Sequence, residues 1–138
     1  MRIALLIGTT VVALAVPAAL ASPGTKLTIT TWLEGGQSQH SYTLTCAPAS
    51  VRGLHQSQMR AADACAALSE LGAQLYQRWL SRHVKGCNYI QAPRRALIVG
   101  ARNGRTVRAQ VEVGACERLL VPARLLNRVV VWSGPSTS

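Results

Sequence analysis

Phenylalanine is absent from these 138 residues, and the other aromatics are only three Trp and three Tyr. A core built from this chain therefore has to consist of Leu, Val, Ile and Ala. Acidic residues are nearly as scarce: Glu34, Asp63, Glu70, Glu112 and Glu117 are all of them. They form no recognisable motif. Enzyme chemistry needs a nucleophile–base pair or two carboxylates in reach of one site, so an enzyme is not expected. No C-x-x-C pair occurs and no histidine stands at finger spacing, which argues against zinc. A Gly-rich phosphate loop is missing as well, and neither a metal nor a cofactor is expected. Beyond the first two dozen residues no stretch is long and apolar enough to span a bilayer.

What is present begins with an address. Met1-Arg2 supplies a positive start, Ile3 to Val16 an apolar stretch broken at Pro17, and Ala19-Leu20-Ala21 a small-x-small cleavage site. Residues 1–21 are read as a secretory signal and residues 22–138 as one small domain, secreted to the extracellular side and off the membrane once the signal is removed. A membrane helix is the rival reading, but it needs about 20 apolar residues, and Thr9, Thr10 and Pro17 interrupt this segment. In an exported chain four cysteines read as two disulfides, staples that a thin aliphatic core needs. Three connectivities are open; pairing in order would close two separate local loops, each stabilising by about 3–4 kcal/mol in the chain-entropy model.

The formal charge is +10, and loss of Arg2 with the signal lowers it by one, to +9. Such a balance favours acidic partners: nucleic acid, anionic wall polymers or negative protein faces. Arg94-Arg95 is the only adjacent basic pair, and no aromatics interleave to stack bases. The basic residues are read as a solvated surface, with binding of nucleic acid or another anionic polymer as the alternative. His40 and His83 are read as surface residues and His55 as a structural residue of a polar loop.

Strand periodicity runs through Lys26 to Leu33 and again through Ser41 to Cys46, with Glu34 to Gln39 as the turn between them. Ala47 to Gln56 reads as a loop. Ser57 is placed to cap a helix that runs to about Leu71, with Gly72 as its stop. Ala61, Cys65 and Leu68 share one face of that helix, which turns Cys65 inward, where it can bridge to the strand end at Cys46. Gln74 to Arg82 is read as a further helical turn. Residues 93–116 read as a second hairpin about Asn103-Gly104, a dipeptide that favours a tight primed turn. Val129 to Trp132 is read as a final short strand. The expected class is α+β: an antiparallel sheet of about five strands with one main helix and a shorter one on one face.

The segment Cys87-Asn88-Tyr89-Ile90-Gln91-Ala92-Pro93 stands apart. A half-cystine anchors one end and a proline stiffens the other. Between them lie an aromatic and a β-branched residue that a core would normally claim. A clamped loop displaying Tyr89 points to recognition by another protein.

Tyr42-Thr43-Leu44-Thr45-Cys46-Ala47-Pro48, then Gly53-Leu54-His55, then Ala64-Cys65-Ala66-Ala67-Leu68 resemble the first half of Streptomyces subtilisin inhibitor and its relatives. Cys87 with Pro93 six residues on, Gly104, Cys116 and a Val-rich closing segment match the second half in order. The resemblance covers nearly all of residues 22–138. It implies a five-stranded antiparallel sheet with helices on one side, disulfides joining Cys46 to Cys65 and Cys87 to Cys116, and an exported homodimer that inhibits subtilisin-like or chymotrypsin-like serine proteases. It places the reactive peptide at Tyr89–Ile90, in a reactive loop made of Gly86, Cys87, Asn88, Gln91, Ala92 and Pro93. The chain departs from the family pattern at Asn88, where relatives often carry Pro, and at Ala92, where an Asp is usual. It departs again at Val113-Gly114-Ala115, where relatives commonly place an Asn beneath the loop.

Overall fold

The computed structural model describes residues 24–36, 38–55, 58–76, 81–87, 93–114 and 116–133. The signal expected over residues 1–21 lies outside them. In chain order the elements are β1 (Thr25–Leu33), β2 (His40–Cys46), β3 (Ser50–Arg52), α1 (Ala61–Leu71), a 3-10 turn (Gly72–Tyr76), β4 (Ser81–His83), β5 (Arg94–Arg102), β6 (Arg105–Val113), β7 (Glu117–Leu119) and α2 (Ala123–Val129). Five strands form one antiparallel sheet in the order β3-β2-β1-β5-β6, and β4 pairs with β7 in a small second sheet. The α+β class holds, and both disulfides are formed in order, Cys46 to Cys65 and Cys87 to Cys116.

Alternation produces the large sheet. Along β1, Leu27, Ile29 and Thr31 are buried while Lys26 and Thr28 are exposed. Register then stacks Ile29 beside Tyr42 on one side and Ile98 on the other, with Ala109 opposite Ile98. A one-residue slip would turn every one of these to solvent, so the pattern holds the register firmly. The β5–β6 connection is the expected two-residue turn: Asn103 and Gly104 have φ of 49° and 78°, and Arg102 pairs with Arg105. Both central residues are left-handed, as a primed turn of matching twist requires. Gly100 has φ 152°, and a Cβ there would run into the Lys26 carbonyl oxygen. Gly100→Ala is therefore expected to cost about 3 kcal/mol through overpacking at the β1–β5 contact, read as a lower urea midpoint at unchanged m-value.

Both helices cover the same face. α1 buries Ala64, Ala67, Leu68 and Leu71, and α2 buries Leu125, Leu126 and Val129, all in one cluster with the sheet. α1 begins at Ala61 with Arg60 at the cap position and no side-chain cap bond; Ser57 lies outside the described residues. The Cys46–Cys65 bridge ties this helix to the end of β2, as the inward face of Cys65 predicts. The tyrosine of β2 is buried and its hydroxyl does two jobs: it donates to Val129 O at 2.8 Å and accepts from Val131 N at 2.9 Å. Burial pushes the Tyr42 pKa up, with the Val131 N–H acting weakly the other way, so the phenol keeps its proton. Tyr42→Phe strands both backbone groups of the chain leaving α2 and is expected to cost about 1–3 kcal/mol in denaturant unfolding.

Three expectations are corrected. Val129 to Trp132 is not a strand: α2 runs to Val129 and residues 130–132 are irregular. Local β propensity there loses to tertiary burial, because Leu125, Leu126 and Val129 line one helical face that the sheet receives. The fifth strand of the sheet is instead Ser50–Arg52, inside the segment read as a loop, paired with β2 from Thr43 to Thr45. The helical reading of Gln74 to Arg82 is met through Tyr76 and corrected at Ser81–His83, a strand whose partner β7 supplies the ladder; residues 77–80 lie outside the described residues. The 3-10 turn docks on the hairpin, where Arg102 Nη1 donates to Gly72 O at 3.1 Å and the Arg105 guanidinium sits 3.9 Å over the Tyr76 ring.

Candidate functional site at the Cys87–Cys116 clamp

The small β4–β7 sheet brings the chain leading to Cys87 alongside Cys116. His83 and Glu117 are cross-strand partners, and His83 Nδ1 lies 2.8 Å from Glu117 Oε1, a hydrogen bond that becomes an ion pair when the imidazole is protonated. Val84 N donates to Cys116 O at 2.7 Å and carries the ladder one residue past β4. A turn follows, closed by Cys87 N donating to Val84 O at 3.2 Å, with Gly86 at φ 82° supplying the left-handed third position. This turn aims Cys87 back at Cys116, and the Cα atoms of the bridge are 5.5 Å apart. Cys116 is 8 % exposed, so the clamp has a buried foot and a half-buried head.

The exit of the loop is held differently. Pro93 O accepts from Glu34 N at 3.2 Å, which extends the β1–β5 pairing by one residue. The ring of Pro93 lies against Gly114: a Cβ at Gly114 would come within 3.3 Å of Pro93 Cβ. Gly114 O in turn accepts from Glu117 N at 3.2 Å, a turn that swings the end of β6 towards Cys116. Next to the exit, Arg95 bridges two strands, with Nη2 3.6 Å from Glu34 Oε1 and Nε 3.2 Å from Glu112 Oε2. The enclosed Nε is not aligned on that oxygen, so the contact is ionic rather than a hydrogen bond. Ser81 Oγ accepts from Glu112 N at 3.3 Å and joins the small sheet to β6.

Of the residues singled out for the loop, Gly86, Cys87 and Pro93 are thus placed, with Gly86 exposed and Cys87 and Pro93 half-buried. Asn88, Tyr89, Ile90, Gln91 and Ala92 lie outside the described residues. Gly114 lies beside Pro93 and offers no side chain to hydrogen-bond the loop. The sequence did not point to the His83–Glu117 pair, nor to Arg95 as a bridge. His83 and Glu117 stand 34 residues apart in strands too short to show periodicity.

Every cysteine is oxidised, which removes all four thiols as ligands or nucleophiles. His55 serves a local turn: its N–H donates to Gln58 Oε1 and its carbonyl accepts from Gln58 N. Among the described residues, no helix is long and apolar enough to cross a membrane. No protein-family model and no curated protein matches the chain.

Proposed function

We propose that this chain is a substrate-like inhibitor of extracellular serine proteases of the subtilisin or chymotrypsin type, a relative of the Streptomyces subtilisin inhibitor that it resembles. Tyr89–Ile90 is its reactive bond. The observation that carries this reading is the Cys87–Cys116 disulfide on a dedicated two-stranded sheet, with the loop exit tied separately at Pro93. A protease grips an extended segment by strand-like main-chain hydrogen bonds. A segment anchored at both ends loses little freedom on docking, so affinity rises. The same anchoring holds the newly freed amine beside the acyl-enzyme, which favours resealing over hydrolysis. Tyr89 fills the primary pocket as the buried anchor, and its ring suits large apolar pockets rather than a trypsin pocket that wants a cation.

Export and homodimer formation belong to the same proposal. The sheet face away from the helices carries Trp32, Leu97 and Val99, all half-buried, and neither helix packs on it. That face is the surface available to a second copy. Asn88, Ala92 and Gly114 leave the loop less braced than the family pattern does, which favours slow cleavage over permanent resistance.

Incubation with subtilisin, followed by mass mapping, tests the reading. A slow single cut after Tyr89 with loss of protease activity supports it; rapid digestion throughout the chain overturns it. Subtilisin and chymotrypsin should be inhibited in preference to trypsin. Exclusive trypsin inhibition contradicts the assigned bond.

A further inference from the structure

The β4–β7 pairing sets Arg82 directly opposite Arg118. Both are exposed, and like charges facing each other across a ladder are destabilising. Each strand has three residues and no other sheet neighbour, so few ladder contacts offset that repulsion. Lys85 adds a third cation in the turn. Arg82, His83, Val84, Lys85 and Arg118 line one cleft of about 250 Å³ at the foot of the disulfide clamp.

Among the described residues no carboxylate is paired with this cluster. Glu34 and Glu112 face Arg95, Glu117 faces His83, Glu70 faces Arg124, and Asp63 sits in the first turn of α1. Those are all the carboxylate side chains that the sequence possesses. Among the described residues no ion pair or hydrogen bond reaches the side chain of Arg82, Lys85 or Arg118. Two planar guanidinium forks beside an ammonium suit tetrahedral oxyanions, which each fork can grip through paired hydrogen bonds.

We infer that the cleft between Arg82 and Arg118 binds the phosphate groups of an extended anionic polymer that lacks bases. Among the described residues the cleft lining contains one imidazole and no larger aromatic ring, whereas single-stranded nucleic acid is held by stacking on aromatic platforms. An extended polymer fits better than a lone ion. The scarcity of acidic residues leaves the rest of the surface basic, so a long polyanion gains further contacts beyond the cleft. The site is independent of the inhibitory reading, and a chain that inhibits no protease would still show it.

The test is binding of the full domain to inorganic polyphosphate, oligothymidylate and polyglutamate across a salt series. Polyphosphate should bind most tightly. The pair Arg82→Gln/Arg118→Gln should weaken it about tenfold and lower the log–log salt slope by about 1.5, as expected for two lost phosphate contacts. Because that pair removes a repulsion rather than a support, the variant stays folded for the measurement. The control pair Arg124→Gln/Arg128→Gln, with the same change of charge on α2, should shift affinity less than about twofold. Equal losses from both pairs would overturn the site in favour of diffuse charge. Tighter binding of polyglutamate would assign the cleft to an acidic protein partner, and tighter binding of oligothymidylate to nucleic acid. Either result overturns the inference.

Discussion

Tyr89→Gly is expected to weaken inhibition of subtilisin by about a hundredfold or more, while the melting temperature stays within about 2 °C. The first figure follows from the energetics of an anchor residue: truncating a central aromatic in a desolvated pocket costs about 2–4 kcal/mol, or more in the strongest cases. The second follows from the proposed reading, in which Tyr89 is displayed to the protease while the described core is built from the large sheet, the helices and their connections. Steady-state inhibition constants and a thermal melt on the same preparation check both. Tyr89→Lys adds a direction to the magnitude: potency should move towards trypsin, whose pocket holds a carboxylate. An unchanged profile for both variants would mean that another surface does the inhibiting.

Removing the clamp should produce a different kind of loss. Cys87→Ser/Cys116→Ser opens a bridge that spans 29 residues of sequence, and the expected cost is about 2–5 kcal/mol. For a domain of this size that corresponds to a fall in melting temperature of roughly 10–20 °C. Below that temperature the variant should still associate with subtilisin, but the protease should cut it as a substrate. The reason is local. Val84 N–H to Cys116 O carries the ladder towards the loop, and beyond it the Cys87 turn bond and the disulfide hold the entry strand. Cys46→Ser/Cys65→Ser is the informative control. That bridge spans 19 residues and ties β2 to α1, away from the loop, so stability should fall by a similar amount while resistance to cleavage persists. Time courses of proteolysis resolve the two cases. If both double variants are digested at the same rate, stability alone governs cleavage and the clamp has no special role.

The two expectations rest on unequal ground in the chain. Four of the five strands of the large sheet could be read directly, because Leu27, Ile29, Tyr42, Leu44, Val107, Ala109 and Val111 recur every second residue and the Asn103-Gly104 turn marks its own position. Such signals are local: each residue reports the face it occupies, and its neighbours confirm it. The clamp was half legible. Cys87 and Pro93 announced a braced loop, and Cys116 was its expected partner, but the floor on which the bridge stands was not visible. Val129 to Trp132 shows the converse failure. A run of β-branched residues carries strand propensity, yet its first residue closes α2, because the sheet had a face to offer Leu125, Leu126 and Val129.

By itself the sequence determined which residues face the interior of the large sheet, where its second hairpin turns, and that the domain carries two disulfides. Each of these depends on residue type and short-range spacing, which survive without a fold. Only the tertiary structure decided that Ser50–Arg52 completes the sheet, that β4 meets β7, that His83 is paired with Glu117, and that Arg82 stands directly opposite Arg118. Three-residue strands are too short to show a period, and their partners lie 34 or more residues away or across a loop. Their pairing is therefore settled by how the rest of the chain packs, and the charges they bring together follow from that packing.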